Sequence, residues 1–302
     1  MVAGRRGDVE FAEPTNAGLG KRRSDRLTEY QNPGKYEKYW QTAISEIGPN
    51  RITIRGYPLH EITGRLSYTD TIVLCVRGEI PNEIESKAIN AILTAAIDHQ
   101  FLNSSVLAAR VVVSGNPDPV AGIAAGVLAF GKITAGVPSL VVELINQYYP
   151  EDETPEALAA AAVRLVSDKR ERGERIPGFG HPLHPIQGAH YSYRSQTLHD
   201  RLVESGLRMD GRIAFYEQAH TEFLRQIGRK MPINVDGVIG AAFAELGYTP
   251  LEVHALSPFT LLPGIVAHVV EEIREGAPLR IVPQSDYVGP SARSRTDGLT
   301  GG

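Results

Sequence analysis

Cysteine is almost absent from this chain of 302 residues, which limits how its fold can be held together. The one cysteine, Cys75, lies in an apolar run from Ile72 to Val76, where it is predicted to be a small buried hydrophobe. A disulfide within the monomer is therefore excluded, as is typical of proteins in the reducing cytosol. The expected location is the cytoplasm.

Long apolar runs and a strong excess of one charge are lacking as well. We expect no signal peptide and no membrane span, since no run reaches the roughly 18 apolar residues that a spanning helix needs. The formal net charge is only -4, with acidic and basic residues mixed along the chain. Binding to nucleic acid or to a membrane is therefore not expected.

Large apolar side chains are scarce at both ends of the chain. Residues 1–34 and 291–302 are rich in small and polar residues, which cannot offset their ordering entropy by burial. They are predicted to be a flexible arm and a flexible tail. The residues between them are numerous enough to bury a large core.

Helical signals dominate between these ends. Asn82 followed by Glu85 is typical of a helix start, and Gly276 is predicted to end the last helix in a left-handed conformation. Apolar residues recur at helical spacing in between. The predicted helices cover about 82–99, 155–168, 212–227 and 261–275.

Strand signals are few, at 51–55 and 279–282, so the predicted class is all-α. Gly122 and Gly126 place small residues on one helix face, which lets another helix approach closely. The stretch from Gly126 to Lys132 has the spacing of a phosphate-binding loop. We reject that reading, because its spacers are apolar, no strand precedes it and no hydroxyl follows the lysine.

The residues from Ile176 to Pro185 combine two glycines and three prolines with two histidines. Such rigid, irregular loops are where functional residues concentrate. His181 and His184 lie three residues apart and His190 follows, so a metal site and histidines that merely bond loop carbonyls are both alternatives. We predict no metal, since cysteine and acidic ligands are missing at the right spacing.

Asp236 follows Asn234 at the start of an apolar helical segment. It would serve as an ordinary helix cap in that position. If it is buried among apolar neighbours, its pKa is raised into the range suited to taking a proton from carbon.

Together these segments resemble the citrate synthase superfamily, closest to its short branch often labelled citryl-CoA lyase. The resemblance covers most of the chain and rests on motifs at 39–45, 54–57, 77–81, 178–181, 234–236 and 263–268. It implies an all-α obligate homodimer with a large domain and a smaller mobile domain that closes over the substrates. The large domain would comprise 35–136 and 246–290, and the small domain 137–245.

The resemblance also implies catalytic roles. Asp236 matches the base that abstracts the α-proton of an acyl-CoA, and His181 matches the histidine that bonds the carbonyl oxygen of the electrophile. Thr134 stands where the family has the histidine that supports the enolate. Coenzyme A enters as the thioester substrate, and a permanently bound cofactor is not expected.

Substrate-binding positions depart from the family pattern. His190 and Leu261 stand where arginines hold the dicarboxylate, while Arg280 is expected to keep a carboxylate contact and His184 to line the same site. The electrophile is therefore predicted to be less charged than oxaloacetate. Candidates are a ketone, an aldehyde, a monocarboxylic 2-oxo acid, or a β-hydroxyacyl thioester to be cleaved.

Coenzyme A is expected to meet Arg175 and the loop residues Gly178, Phe179 and Gly180, although basic residues near a helix end also have a dipole role. The leading hypothesis is an enzyme that forms or cleaves a carbon–carbon bond next to a thioester. The alternatives are an inactive homologue that binds coenzyme A thioesters or a partner and, behind it, a metal-dependent hydrolase.

Overall fold

The computed structural model describes residues 41–131, 134–181, 183–281 and 286–291. The predicted flexible arm and all of the predicted tail except Ser291 lie outside these ranges. The chain divides into two compact units, Met1–Arg65 and Leu66–Gly302. The division into a large and a small domain, which has other boundaries, stays a prediction.

The described part of the first unit is a small antiparallel sheet followed by one helical turn. Its strand order is β1-β2-β3, with Ile47 opposite Ile52 in the first pair. The left-handed residues Asn50 and Gly56 lie in the two connecting turns. The elements are β1 Ser45–Gly48, β2 Arg51–Ile54, β3 Tyr57–Pro58 and α1 Leu59–Ile62. The strand predicted at 51–55 is confirmed.

The second unit is helical throughout its described elements, and the predicted class is confirmed. The helices are α2 Tyr68–Arg77, α3 Glu83–Ala95, α4 Ser104–Gly115, α5 Pro119–Leu128, α6 Val137–Tyr148, α7 Pro155–Glu171, α8 Tyr193–Ser205, α9 Arg212–Ile227, α10 Val235–Glu245 and α11 Pro250–Glu275. A 3₁₀ turn, Gln100–Leu102, follows α3. Cys75 is only partly buried in α2, against the expectation of full burial.

The last helix differs most from its prediction. It begins at Pro250, because Thr249 and Glu252 form a capping box. Pro258 and Pro263 lie inside it although proline lacks a backbone donor, and the helix starts earlier than the predicted residue 261. Gly276 is extended, with φ -73°, and is not left-handed. Leu279 to Ile281 form no strand, and Val282 lies outside the described residues.

By length and composition α11 also qualifies as a membrane span, which the sequence analysis did not anticipate. Its Leu261, Ile265 and Val269 are buried and pack with Val106 and Val113 of α4 in a small apolar core. The apolar character of this helix is therefore accounted for by contacts within the unit.

The small-residue face of α5 is confirmed as a close helix contact. A Cβ atom built on Gly122 would lie 2.3 Å from Cγ1 of Val113, and one on Gly126 would lie 2.8 Å from Cγ2 of Ile265. Helix α5 therefore packs directly against α4 and α11. Since Gly126 is inside a helix, the rejection of the phosphate-loop reading stands; Lys132 lies outside the described residues.

Helix α10 is almost completely buried, with only Asp236 and Glu245 partly exposed. Its Gly240 faces α6: a Cβ atom there would lie 2.7 Å from the carbonyl oxygen of Pro138 and 2.5 Å from Cβ of Val141. A backbone carbonyl cannot rotate away, so this glycine sets how closely α10 approaches α6. The position of Asp236 depends on that approach.

Replacing Gly240 with alanine is expected to destabilise the fold by about 1–3 kcal/mol, because overpacking outweighs the better helix propensity of alanine. The measurement is the free energy of unfolding in urea. Gly115→Ala is the matched control, since Gly115 is also helical but has open space where a Cβ would lie. Equal stability of the two variants would show that the close contact is not limiting.

Candidate active site

A cavity of about 320 Å³ lies where α3, α6, α10 and α11 meet, and we call it the Asp236 cavity. Its walls are largely apolar, and its polar lining includes His99, Ser104, Thr134 and Asp236. Leu261 also lines it and is 5% exposed. Thr134, Asp236 and Leu261, which the sequence analysis assigned to the site from distant segments, thus line the same cavity.

Asp236 occupies the second position of α10, where it is free for chemistry because another residue caps the helix. The side-chain oxygen of Asn234 accepts the backbone N–H of Gly237 at 3.1 Å, which satisfies the helix start. Burial raises the pKa of Asp236 to about 6, while the positive charge of Arg194 works in the opposite direction. The nearby Tyr216 phenol stays neutral, because burial raises its pKa far above the usual range.

The histidine loop is fastened to the segment that leads into α10. The Asn234 N–H donates to the Gly178 carbonyl at 2.9 Å, and the Gly180 N–H donates to the Pro232 carbonyl at 2.7 Å. The Asn234 amide donates to the Gly180 carbonyl at 2.9 Å. His181, the next residue, is therefore held close to the head of the helix that carries Asp236.

Gly178 and Gly180 are needed for this junction. Their φ angles are +82° and +95°, which side chains rarely allow. A Cβ on Gly178 would lie 2.6 Å from the Cα of Gly237. The two glycines thus have a packing role, and their predicted contact with coenzyme A stays a prediction.

His181 is set up as a neutral hydrogen-bond donor. Its Nδ1 accepts the backbone N–H groups of Leu183 and His184, at 3.1 and 3.0 Å. We assign the proton to Nε2 from this network. Burial, followed by the charges of His184 and Arg194, lowers the pKa of His181. The imidazole therefore presents an N–H group without a positive charge, as a carbonyl-binding histidine requires.

His190 is oriented by a second histidine that the sequence analysis did not consider. The Nε2 of His220 lies 2.7 Å from the Met231 carbonyl, to which it must donate, and its Nδ1 lies 3.0 Å from Nδ1 of His190. His190 therefore donates from Nδ1, and its Nε2 is an acceptor while the ring is neutral. Burial lowers the pKa of His190. The neutral ring therefore presents an acceptor at Nε2, and the contact of His190 with a substrate stays a prediction.

Thr134 lies in a tight turn that precedes the first residue of α6, Val137. The Gly131 N–H donates to the Thr134 carbonyl at 2.8 Å, and Ala135 has a φ of +67°, which is strained for a residue with a side chain. The Thr134 hydroxyl lies 3.3 Å from the hydroxyl of Ser104. Thr134 from this turn and Ser104 from the start of α4 thus place two hydroxyl groups at the wall of the Asp236 cavity.

Two further residues at the site were missed. His99 lines the cavity, and its buried Nδ1 has no hydrogen-bond partner among the described residues. Burial, helped by the charge of Arg194, lowers the pKa of His99 to about 4, so the ring is neutral. Arg194 donates from Nη1 to the carbonyls of Ala95 and Asp98, at 2.7 and 3.0 Å. Neither residue lies in a glycine-rich or proline-rich motif that would have marked it.

The remaining predicted residues lie elsewhere. Phe179 packs its ring against Tyr216, His220 and Phe223 in the core, with centroid distances of 5.0, 4.9 and 5.2 Å. Arg175 is exposed. A ligand contact of the Phe179 side chain would require this aromatic cluster to open, so its predicted contact with coenzyme A, like that of Arg175, stays a prediction.

Arg280 is occupied by a carboxylate of the chain itself. It donates to both oxygens of Glu272, at 2.5 and 2.9 Å, and Glu272 is also bound by Arg110. Glu272 is 3% exposed, so this pair is partly buried. Arg280 is not part of the cavity lining, and its contact with a substrate carboxylate stays a prediction.

The metal-site alternative finds little support in the positions of its three histidines. His181 and His184 stack with a centroid distance of 4.4 Å, while His190 is turned toward His220. Within 41–131, 134–181, 183–281 and 286–291, no group of three potential ligands lies close enough to hold an ion.

The fold and the cavity define a class: a helical protein in which a carboxylate, Asp236, and a neutral imidazole, His99, line one cavity, while His181, His184 and His190 lie outside its described lining. Residues 66–282 match the family described as citrate synthase, C-terminal domain. The chain belongs to the citrate synthase family.

Individual relatives agree with this assignment. The structure of citryl-CoA lyase from Hydrogenobacter thermophilus is 30% identical, with a TM-score of 0.75 over 87% of this chain and 99% of that one. Citrate synthase 2 of Bacillus subtilis is 27% identical over 73% of this chain and 56% of its own length. A 2-methylcitrate synthase of Mycobacterium tuberculosis is 26% identical over 79% of this chain and 57% of its own. The chain thus spans little more than half of these two curated relatives.

A more distant structure shares the fold alone. Citrate synthase from Thermoplasma acidophilum, solved in a ternary complex with carboxymethyl coenzyme A and oxaloacetate, is 22% identical with a TM-score of 0.58. The superposition covers 76% of this chain and 58% of the Thermoplasma acidophilum chain.

Asp236→Asn is expected to raise stability at pH 8 but not near pH 4. The folded pKa of about 6 exceeds the ordinary value of 3.8, so ionising this partly buried carboxyl costs stability as pH rises through this interval. Removing the charge recovers on the order of 1–3 kcal/mol above pH 6. Urea unfolding at both pH values measures the effect.

The control for this prediction is Asp210→Asn. Arg208 lowers the pKa of the exposed Asp210 carboxyl, so its ionised form is favoured by folding and the expected change at pH 8 has the opposite sign. A loss of stability in Asp236→Asn at pH 8 would contradict the assigned cost of burial.

Proposed function

We propose that this chain is an enzyme that forms or cleaves a carbon–carbon bond next to the thioester of an acyl-CoA. The observation that carries the proposal is Asp236: a carboxylate with a pKa of about 6 in the wall of a largely apolar cavity. A base of this strength is ionised at neutral pH, and its low-dielectric surroundings favour proton transfer from carbon. The names of the relatives, citrate synthase, citryl-CoA lyase and 2-methylcitrate synthase, support the same chemistry.

The proposed reaction uses three residues. Asp236 takes the α-proton of the acyl-CoA, and the electron pair of the broken C–H bond forms the enolate, whose oxygen accepts a hydrogen bond from Thr134. The enolate carbon then attacks the carbonyl carbon of the electrophile while the Nε2–H group of His181 stabilises the developing oxyanion. Cleavage follows the same steps in reverse.

The rest of the proposal concerns binding and assembly. Coenzyme A is held as a substrate and not as a resident cofactor, with Arg175 and the histidine loop as its expected contacts. The complex of carboxymethyl coenzyme A with a protein of the same fold supports binding of coenzyme A. We further propose that the protein acts as a cytoplasmic homodimer, as the family resemblance implies.

A second candidate is a homologue that binds coenzyme A thioesters without turning them over. Thr134 in place of the enolate-supporting histidine favours it, because a hydroxyl donates one hydrogen bond and cannot become positively charged. Isotope exchange at the thioester separates the two candidates, since exchange requires a working base but no electrophile.

The purified protein is expected to exchange the α-protons of acetyl-CoA or propionyl-CoA with deuterium from solvent. The rate should rise with pH through about 6 and level off above it, because Asp236 must be deprotonated to act as a base. Asp236→Asn should reduce exchange by roughly 10³-fold or more, measured by NMR or mass spectrometry.

Asp210→Asn is the control, because its carboxyl is exposed and lies outside the cavity. Unchanged exchange in Asp236→Asn would remove this residue from the mechanism. Thioester binding in calorimetry without any exchange by the unaltered protein would establish the second candidate.

Thr134→Val should slow α-proton exchange by roughly 10- to 100-fold, because it removes the hydroxyl proposed to bond the enolate while keeping the size of the side chain. Thr134→Ser is the matched control and should retain most of the rate, since the hydroxyl is kept beside Ser104. Equal rates for the two variants would assign the support of the enolate to another group.

A further inference from the structure

Arg194 is a cation placed beside the Asp236 cavity by two backbone carbonyls. Its Nη1 donates to Ala95 and Asp98, so the guanidinium is fixed at the C-terminal end of α3. The adjacent residues Ala96 and His99 both line the cavity. Arg194 is only partly buried, which keeps solvent or a ligand within reach of its remaining N–H groups.

The other side of Arg194 is tied to the segment that leads to Asp236. Arg194 lies two residues after Ser192, whose N–H donates to the Ile233 carbonyl at 3.2 Å. The Ile233 N–H in turn donates to the His190 carbonyl at 2.7 Å. The guanidinium thus lies between the segment that ends in His99 and the one that opens α10.

Electrostatics agree with this placement. The charge of Arg194 lowers the pKa values of Asp236, His99 and His181 alike, although burial dominates in each case. One cation therefore acts on the proposed base and on two of the histidines near it. Among the described residues, it is the cation whose charge reaches Asp236.

The donor geometry leaves Arg194 with capacity for a ligand. A guanidinium has five N–H groups in a planar fork that suits a carboxylate. Within the part of the chain that the structure describes, the hydrogen bonds of Arg194 come from Nη1 alone.

We propose that Arg194 binds a carboxylate of the electrophile. It would thereby provide the carboxylate contact that the family's arginines make at the positions of His190 and Leu261. This inference rests on the proposed function and narrows its substrate class. Arg194 is not one of the described lining residues, which include no lysine or arginine, but it is bound next to Ala96 and His99, which do line the cavity. Arg280 is paired with Glu272. A single guanidinium matches a single carboxylate. The electrophile is therefore a monocarboxylic 2-oxo acid, with its carbonyl next to the group that Arg194 holds.

The competing explanation is that Arg194 only caps α3. Its bonds to the last carbonyls of that helix satisfy acceptors that would otherwise lack partners. A cap and a ligand contact predict different results, because a capping defect weakens the binding of charged and neutral carbonyl compounds equally.

The experiment compares pyruvate with methyl pyruvate, its neutral match, by calorimetry on the full chain in the presence of coenzyme A. The unaltered protein should bind pyruvate at least 10-fold more tightly than the ester, and no more weakly than oxaloacetate. Arg194→Gln should weaken pyruvate binding by roughly 10- to 100-fold and leave the ester unchanged, as expected for loss of a charge-assisted pair. Arg194→Lys should retain part of the preference.

Arg201→Gln is the matched control, because Arg201 lies on the same helix and pairs with Glu204 at the surface. It should bind pyruvate as the unaltered protein does. A second measurement is independent of the electrophile: in Arg194→Gln the pH midpoint of α-proton exchange should move upward, because the cation that lowers the pKa of Asp236 is gone.

Three outcomes would overturn the inference. They are equal binding of pyruvate and its ester by the unaltered protein, an equal loss for both compounds in Arg194→Gln, and tighter binding of oxaloacetate than of pyruvate. If Arg194→Gln does not fold, Arg194→Lys decides. A residue that only caps α3 predicts that this variant binds pyruvate and methyl pyruvate with the same ratio of affinities as the unaltered protein. Failure of the proposed function is distinct, because it would appear as absent α-proton exchange in the unaltered protein.

Discussion

The site depends on the hydrogen bonds that join residues 178–180 to 232–234. Two of them are backbone bonds and one comes from the amide of Asn234, which also caps α10. A single residue thus fastens the histidine loop and starts the helix that carries Asp236. Gly178 and Gly180 make this possible, because a Cβ on Gly178 would collide with the backbone of Gly237 and Gly180 has a positive φ that side chains rarely adopt. The distance between the proposed base and the proposed carbonyl-binding group therefore follows from backbone geometry.

Burial sets the chemistry of the groups that this junction brings together. It raises the pKa of Asp236 to about 6 and lowers that of His99 to about 4, so one carboxyl titrates near neutrality while the imidazole stays uncharged. The same exclusion of water destabilises an ionised Asp236. Ionising a carboxyl in such a site costs folding stability, while α10 packs closely against α6 at Gly240.

Local patterns predicted much of this arrangement, and long-range contacts account for the rest. Asp236, Thr134 and Leu261 were proposed because each lies in a recognisable segment, and all three line the cavity. His99 and Arg194 were missed because their significance lies in contacts with distant segments. The pairing of His190 with His220, 30 residues away, likewise leaves no local trace. Helix α11 begins earlier than predicted, because Thr249 and Glu252 cap it and Val253 and Leu256 are buried in the main core.

The balance of charge inside the cavity connects these observations with the proposed substrate. With Asp236 ionised and the imidazoles neutral, Arg194 offsets the charge of the base before the reaction. In the proposed chemistry the base becomes neutral as the negative charge moves to the enolate, so the carboxylate of the electrophile adds one further negative charge. A dicarboxylate would add two, next to Leu261 and the other apolar walls. Because charge is costly to bury without a partner, one guanidinium favours one carboxylate.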